Sequence, residues 1–200
     1  MQDTVAILFL STATIVVIFF KPSKIMNYPS QGETIVAIGD SLIKGKGSTD
    51  DGDFITLLSE EIGEPIINLG ISGNTTAQGL ERIDSVIKLN PKVVMVLLGG
   101  NDFLQDVPIE QTFKNIETIV QKIQDAGAVV VLLGIQGGIL DDSFASHFRE
   151  IARKYGTLYV PNVLENIIGE EELMSDETHP NNKGYRIIAD KVFPVLERAL

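Results

Sequence analysis

The chain lacks cysteine altogether, and it contains only two histidines, His147 and His179, among its 200 residues. Without cysteine there is no thiol nucleophile, no disulfide, no cysteine-ligated zinc site and no cysteine for lipid attachment. Any mechanism that depends on histidine must therefore use one of these two residues.

Basic residues are also scarce, since 16 Lys and Arg stand against 27 Asp and Glu and the formal net charge is -11. No basic stripe is present that could displace counterions from a phosphate backbone, which argues against a nucleic-acid partner. The negative charge disfavours polyanionic substrates as well, without choosing among neutral ones.

Charged residues are missing between Thr4 and Phe20, where most positions hold Val, Ile, Leu, Phe or Ala. A bilayer-spanning helix needs about 17–25 residues, so this run reaches the lower limit of that range. A cleaved signal peptide is disfavoured, because Gln2 and Asp3 replace the usual basic region and no small-x-small cleavage site follows. We therefore predict an uncleaved hydrophobic helical anchor over residues 1–21, with a buried core helix as the alternative.

The rest of the chain is predicted to be a linker over residues 22–32 and one domain over residues 33–200, which is long enough to bury a sizeable core. Lys21 and Lys24 follow the apolar run, and the positive-inside rule would keep the domain in the cytoplasm.

Within the domain, apolar runs alternate with segments of helical periodicity, which predicts repeated β–α units. The runs are continuous, as is typical of strands buried on both faces of a parallel sheet covered by helices. They lie at residues 34–38, 65–69, 93–98, 128–133 and 157–160. One helix is predicted with Leu80, Ile83 and Ile87 on one face, beginning at a capping box of Thr75 and Gln78.

Three candidate residues follow the first three strands: Ser41, Gly73 and Asn101. Because ligands bind beyond the carboxyl ends of the strands in open α/β sheets, we expect these residues to converge on one edge. Ser41 is the candidate nucleophile, although most Gly-Asp-Ser triplets only place a serine in a tight turn or at a helix cap. Gly73 could offer its backbone N–H and Asn101 its amide to a developing oxyanion, although turn residues are the alternative for both.

A candidate acid–base pair stands near the C-terminus, where Asp176 and His179 are three residues apart. If this segment forms a turn of helix, the carboxylate can hold one imidazole nitrogen and leave the other free to act as a base. A simple helix-entry turn is the alternative. His147 is predicted to lie on the solvated surface of a helix, and Asp102 is predicted to order the loop after the third strand.

Four segments together resemble the sequence blocks of the SGNH hydrolases, also called the GDSL-like lipase/esterase family, over residues 34–198. In chain order they are Gly39-Asp40-Ser41-Leu42, Gly73, Gly99-Gly100-Asn101-Asp102 and Asp176-x-x-His179. The stretches GGNDFL and HPNNKGY are most similar to the thioesterase I, lysophospholipase L1 and arylesterase branch of bacteria. A departure lies at residues 134–139, which lack the proline-containing stretch expected in the loop that shapes the acyl pocket.

The resemblance implies a three-layer α/β/α sandwich with five parallel strands, flavodoxin-like in topology. It also implies a serine hydrolase of carboxylic esters or thioesters, with Ser41, His179 and Asp176 as the catalytic triad. The oxyanion donors would be the N–H groups of Ser41 and Gly73 and the amide of Asn101. No metal or cofactor is implied.

The expected partners are a small ester or thioester, with lipid-derived substrates suggested by the apolar segment, and a membrane contacted through that segment. The family is often exported, which favours the extracytoplasmic side over the side that the two lysines indicate.

Two other functions stay open at this stage. One is a receiver- or phosphatase-like protein that uses Asp40 and Asp102 around magnesium, and the other is a silent domain that binds acyl or glycan ligands.

Overall fold

The computed structural model describes residues 24–136 and 142–200, together with the backbone of two short strands nearer the N-terminus. A five-stranded, all-parallel sheet forms the centre of the described structure. Its strands are β3 (Thr34–Gly39), β4 (Ile66–Gly70), β5 (Pro91–Leu97), β6 (Val129–Leu133) and β7 (Leu158–Val160). Their spatial order, β4-β3-β5-β6-β7, is the flavodoxin-like order, in which the second strand lies outside the first. The predicted sheet is therefore confirmed.

Eight α-helices surround the sheet or cap its edge in the described residues. They are α1 (Ser41–Lys44), α2 (Phe54–Ile62), α3 (Thr76–Glu81), α4 (Ile83–Ile87), α5 (Gly100–Leu104), α6 (Ile109–Asp125), α7 (Asp142–Tyr155) and α8 (Asn182–Leu196). Two short 3-10 helices are Glu171–Leu173 and Glu197–Ala199. The single helix predicted around Leu80 and Ile87 is in fact two, α3 and α4, which meet at Arg82 where the backbone leaves helical geometry (φ -105°, ψ 7°).

The three layers follow from the alternation of side chains along each buried strand. In β3, Ile35 and Ala37 point into one core, which they share with apolar side chains of α1, α2 and α8. Val36 and Ile38 point into the other core, which is closed by α4, α6 and α7. Because both faces of the strand are covered, its sequence is continuously apolar, as the predicted sandwich requires.

Strand register brings the chain segments of interest to one edge of the sheet, namely the edge formed by the carboxyl ends of the strands. Gly39, the last residue of β3, pairs with Gly70 of β4 on one side and with Leu97 of β5 on the other. A Cβ at Gly39 would lie 2.5 Å from the Leu97 carbonyl oxygen, and a Cβ at Gly70 would overlap the backbone nitrogen of Lys44. Glycine at both positions therefore lets α1 turn back tightly against the strand ends.

The N-terminal segment differs from the predicted helix where it is described. Two short strands, β1 (Ile7–Leu10) and β2 (Ala13–Val16), pair antiparallel to each other. Short runs rich in β-branched and aromatic residues suit strands as well as helices, and composition alone does not separate the two. The other residues of the predicted anchor lie outside the described residues. Within the described residues, no helix has the length and apolar character needed to cross a bilayer.

Residues 24–33 cross the amino ends of the strands, at the edge opposite to Gly39. They are bound there by hydrogen bonds to residues that immediately precede or begin β5, β6 and β7. These bonds are Met26 N to Gly156 O (3.0 Å), Asn27 Nδ2 to Ala128 O (3.0 Å), Ser30 Oγ to Gly127 O (2.9 Å) and Glu33 N to Asn90 O (2.8 Å). The chain therefore enters the domain at the edge of the sheet that lies farthest from the carboxyl ends of the strands.

Candidate active site

Ser41 is the first residue of α1 and stands directly beyond the carboxyl end of β3. The preceding residue, Asp40, caps this helix, because its Oδ1 accepts the N–H of Leu42 at 2.9 Å. The helix ends after one turn at Gly45, whose φ of 80° is left-handed. The short helix presents Ser41 at the edge of the sheet with its side chain nearly buried (9% exposed).

Three side chains form a continuous hydrogen-bonded chain at this edge. His179 Nε2 lies 2.9 Å from Ser41 Oγ, and His179 Nδ1 lies 2.8 Å from both carboxylate oxygens of Asp176. The two imidazole nitrogens are thus engaged by a hydroxyl on one side and by a carboxylate on the other. This arrangement can take a proton from Ser41 while Asp176 fixes the ring orientation and stabilises the imidazolium.

Asp176 and His179 meet in a bend between the 3-10 helix and α8, not in a turn of helix. Asp176 Oδ1 accepts the backbone N–H groups of Thr178 (2.9 Å) and His179 (2.8 Å), which closes the bend locally. The Thr178 N–H, followed by the imidazole of His179, lowers the pKa of the Asp176 carboxyl well below its ordinary range. Asp176 therefore stays ionised as the partner of His179 across the pH range in which esters are hydrolysed.

The start of α8 is tied to the loop that follows Ser41. Asn182 Oδ1 accepts the N–H of Thr49 at 2.9 Å, and its Nδ2 donates to the Thr49 carbonyl at 2.9 Å. One turn later the buried Tyr185 donates its hydroxyl to the carbonyl of Lys46 at 2.8 Å. Residues far apart in sequence thereby hold His179 close to Ser41.

Gly73 and Asn101 lie just beyond the carboxyl ends of β4 and β5, the two strands that flank β3. Asn101 lies in the first turn of α5, and its Nδ2 donates to the Asn74 carbonyl (3.1 Å) and to Asp40 Oδ2 (3.3 Å). Gly73 lies in the turn after β4, where its φ is 83°. The turn is closed by a hydrogen bond from the Asn74 N–H to the Ile71 carbonyl oxygen. Within the part of the chain that is described, the Gly73 N–H has no hydrogen-bond partner. The N–H groups of Gly73 and of the first residue of α1 can serve an oxyanion directly, and Asn101 Nδ2 can join them by exchanging one of its two hydrogen bonds.

Asp102 is fully buried and joins the helices around the site. Its carboxylate accepts the N–H (2.8 Å) and the hydroxyl (2.5 Å) of Thr76, which follows Thr75 at the start of α3. Asn115 of α6 donates to the same hydroxyl at 3.0 Å. The capping box of Thr75 and Gln78 predicted for α3 is present. Asp102 therefore orders the loop, as its sequence position suggested.

The magnesium alternative finds no ligand set in the described residues. Both oxygens of Asp102 accept hydrogen bonds from Thr76, and both oxygens of Asp40 accept them from Leu42 and Asn101. No group of three or more histidine, aspartate or glutamate residues is arranged to hold a metal ion in the part of the chain that is described.

His147 takes no part in this constellation. It lies on α7, where its ring stacks on Phe113 at 4.6 Å between centroids and its Nδ1 contacts the Ser143 carbonyl oxygen at 2.7 Å. The ring is thus half-buried, whereas the sequence suggested a solvated side chain. The stacking partner comes from another helix, so helical periodicity alone gave no sign of it.

Two further residues at the site escaped the sequence-based prediction, Asn74 and Arg82. Asn74 is buried beside Asn101, and Arg82 reaches the strand ends from the junction of α3 and α4. Helical periodicity gave no signal for either residue, because position 82 lies off the predicted face of Leu80, Ile83 and Ile87. The loop after β6 is described to Gln136, and the rest of the stretch expected to shape an acyl pocket lies largely outside the described residues.

The chain is similar to known hydrolases over most of its length. Residues 37–187 match the family model described as the GDSL-like lipase/acylhydrolase family. Esterase TesA of Pseudomonas aeruginosa is 28% identical over 188 residues, which cover 88% of this chain and 94% of that protein. The thioesterase 1/protease 1/lysophospholipase L1 of Escherichia coli is 29% identical over 167 residues, which cover 79% of this chain and 80% of that protein.

A solved structure shows the same similarity in three dimensions. The psychrotrophic esterase EstA from Pseudoalteromonas sp., in a structure inhibited by monoethylphosphonate, superposes with a TM-score of 0.75 at 28% identity. The match covers 82% of this chain and 97% of that chain.

Replacing Asn101 by alanine should reduce turnover about 10²–10³-fold, the usual cost of removing one oxyanion donor. The fold should persist, because Asn101 is only half-buried and Asp102 keeps α5 in place. Steady-state kinetics on a short acyl ester, with circular dichroism to confirm folding, measures both effects. Asn90→Gly, at the opposite edge of the sheet, is the control and should keep full turnover. Equal turnover of Asn101→Ala and wild type would contradict the oxyanion role.

Asp40 should give stability a dependence on pH. Burial raises the pKa of this carboxyl to about 6 from its ordinary 3.8, against the opposing effect of the Leu42 N–H. Between pH 3.8 and about 6, Asp40 has lost its proton in the unfolded chain but keeps it in the folded chain. The free energy of unfolding therefore falls as the pH rises through this interval. The fall is up to about 3 kcal/mol, because each unit of difference between the two pKa values corresponds to about 1.4 kcal/mol. Urea unfolding at a series of pH values should show this fall in wild type relative to Asp40→Asn, and parallel curves would refute it.

Proposed function

The chain belongs to the GDSL-like lipase/acylhydrolase family, and on that premise we propose that it hydrolyses its substrates through an acyl-enzyme on Ser41. It is a hydrolase of ester or thioester bonds. The observation that supports Ser41 most strongly is the uninterrupted chain of contacts from Ser41 through His179 to Asp176, at 2.9 Å and 2.8 Å. A turn serine that only capped a helix would require neither partner.

The reaction proceeds in two halves. His179 Nε2 takes the proton of Ser41 as Oγ attacks the carbonyl carbon, and the resulting oxyanion is stabilised by Asn101, Gly73 and the Ser41 N–H. The tetrahedral intermediate collapses with transfer of that proton from His179 to the leaving alcohol or thiol. A water molecule, deprotonated by His179, then attacks the acyl carbon and releases the acid and free Ser41.

The substrates proposed are small esters and thioesters, including those derived from lipids. Support comes from the names of the relatives, which include an esterase and a thioesterase 1/lysophospholipase L1. The formal charge of -11 disfavours polyanionic substrates and so agrees with neutral acyl groups.

We further propose that the N-terminal segment holds the domain at a membrane, on its extracytoplasmic side. The uncharged, mostly apolar composition of residues 4–20 supports contact with the apolar part of a bilayer. Because residues 24–33 are bound along the amino ends of the strands, the segment would join the domain opposite Ser41 and leave the catalytic edge open to solvent.

The proposed mechanism can be tested by assaying the full-length protein with p-nitrophenyl esters and acyl-thioesters of increasing acyl length. Wild type should hydrolyse short members of the panel, and chelation by EDTA should leave the rate unchanged. Ser41→Ala should lose activity by at least about 10³-fold, because the nucleophile is gone while the oxyanion donors remain. If Ser41→Ala matched wild type, the mechanism would be wrong. If neither variant acted on any ester or thioester, a silent acyl-binding domain would be the better reading.

A further inference from the structure

Arg82 is a half-buried cation whose partners are all neutral oxygens. Its Nε donates to Asn74 Oδ1 at 3.0 Å, its Nη1 to the Leu69 carbonyl at 2.6 Å and its Nη2 to the Gly39 carbonyl at 2.8 Å. No carboxylate pairs with it among the described residues, and burial lowers the pKa of the guanidinium. A charge that is partly buried without a carboxylate partner lowers the free energy of unfolding. We therefore expect this arginine to serve a function.

The three acceptors of Arg82 belong to the chain segments that carry the active site. Gly39 ends β3 and stands two residues before Ser41, while Leu69 stands at the end of β4. Asn74 closes the turn that contains Gly73. The planar fork of the guanidinium reaches all three at once, which the single ammonium group of a lysine could not do in the same geometry.

Two further hydrogen bonds extend the influence of Arg82 to the remaining oxyanion donor. The Asn74 carbonyl, on the residue held by Arg82 Nε, accepts Nδ2 of Asn101 at 3.1 Å. The Gly39 carbonyl, which accepts Arg82 Nη2, also accepts the N–H of Ile71 at 3.1 Å, at the start of the Gly73 turn. Arg82 thus lies at the junction of the strand that leads to Ser41, the Gly73 turn and the support of Asn101.

The backbone around Arg82 is arranged to allow these contacts. The predicted single helix is interrupted at this residue, where α3 ends and α4 begins. In a continuous helix, position 82 would lie away from the apolar stripe formed by Leu80, Ile83 and Ile87. The interruption lets the guanidinium reach the carboxyl ends of the strands.

We propose that Arg82 is a positioning residue for ester hydrolysis, which holds the oxyanion donors Gly73 and Asn101 in register with Ser41. The inference rests on the proposed function, because it assigns Arg82 to the same oxyanion site. Arg82 makes its contacts with backbone carbonyls and Asn74, not with the triad, so it acts through other residues. Its loss should slow the chemical step and leave ground-state binding of the acyl group largely intact.

Arg82→Ala should lower kcat about 10–100-fold with little change in KM, because small displacements of catalytic groups are costly. Added guanidinium ion, well below denaturing concentrations, should restore part of the lost kcat by occupying the vacated site. Arg186→Ala is the matched control, since Arg186 is an arginine paired with Glu61 and Asp190 at the exposed side of α8. This control should keep its kcat and show no response to guanidinium.

Asn74→Ala provides a second route if Arg82→Ala does not fold. It removes the acceptor of Arg82 Nε and leaves the backbone carbonyl that holds Asn101. Its kcat should fall several-fold with KM unchanged, and combining it with Arg82→Lys should cost less than the sum of the two single changes, because both act through one contact. Strict additivity, or a full kcat in Asn74→Ala, would contradict the coupling.

The outcomes separate this inference from the proposed function. If wild type hydrolyses esters and Arg82→Ala has the same kcat, the role of Arg82 is refuted and the mechanism at Ser41 stands. A fall in kcat that guanidinium does not reverse, and that matches the loss of folded protein, would also refute positioning. If wild type shows no hydrolysis and Ser41 proves unreactive, the proposed mechanism fails and this inference fails with it.

Discussion

The site depends on the parallel register of β3 between β4 and β5. Adjacent strands lie about 4.8 Å apart, so three chains that end at the same level must continue within side-chain reach of one another. Gly39 pairs with Gly70 and Leu97, and the turns beyond these residues carry Ser41, Gly73 and Asn101. The β-sheet therefore brings Ser41, Gly73 and Asn101 together, and only Asp176 and His179 must be brought from elsewhere, by the attachment of α8 to the loop after Ser41.

Charged groups without ion-pair partners are concentrated beneath this edge. Asp40 and Asp102 are buried, and Arg82 is half-buried among carbonyl oxygens. Each is satisfied by hydrogen bonds to backbone or neutral side chains, which fix direction as well as distance. Such groups stabilise the protein less than an apolar core would, but they hold the loops of the site in one arrangement. Asp176, in contrast, is partly exposed and already low in pKa, as suits a permanent anionic partner for His179.

The sequence predicted most of the fold, and which residues meet at the strand ends, because local signals agreed with global ones. The apolar runs of the five strands and the capping box at Thr75 need no tertiary information, and the strand ends placed Ser41 beside Asn101. The missed features depend on contacts between distant segments: the helix break at Arg82, the burial of Asn74 and the stacking of His147 on Phe113. The segment around β1 and β2 was misread as a helix because apolar composition without a polar pattern suits either structure.

The central claim is that Ser41 is a nucleophile activated by His179. It is tested most directly by intact-mass and peptide mass spectrometry of the full chain after treatment with a fluorophosphonate ester. We predict one phosphonyl group per chain, attached to Ser41, with labelling strongly slowed in His179→Ala because the general base is missing. A label on any other residue, or labelling of Ser41 at the same rate in His179→Ala, would contradict the account.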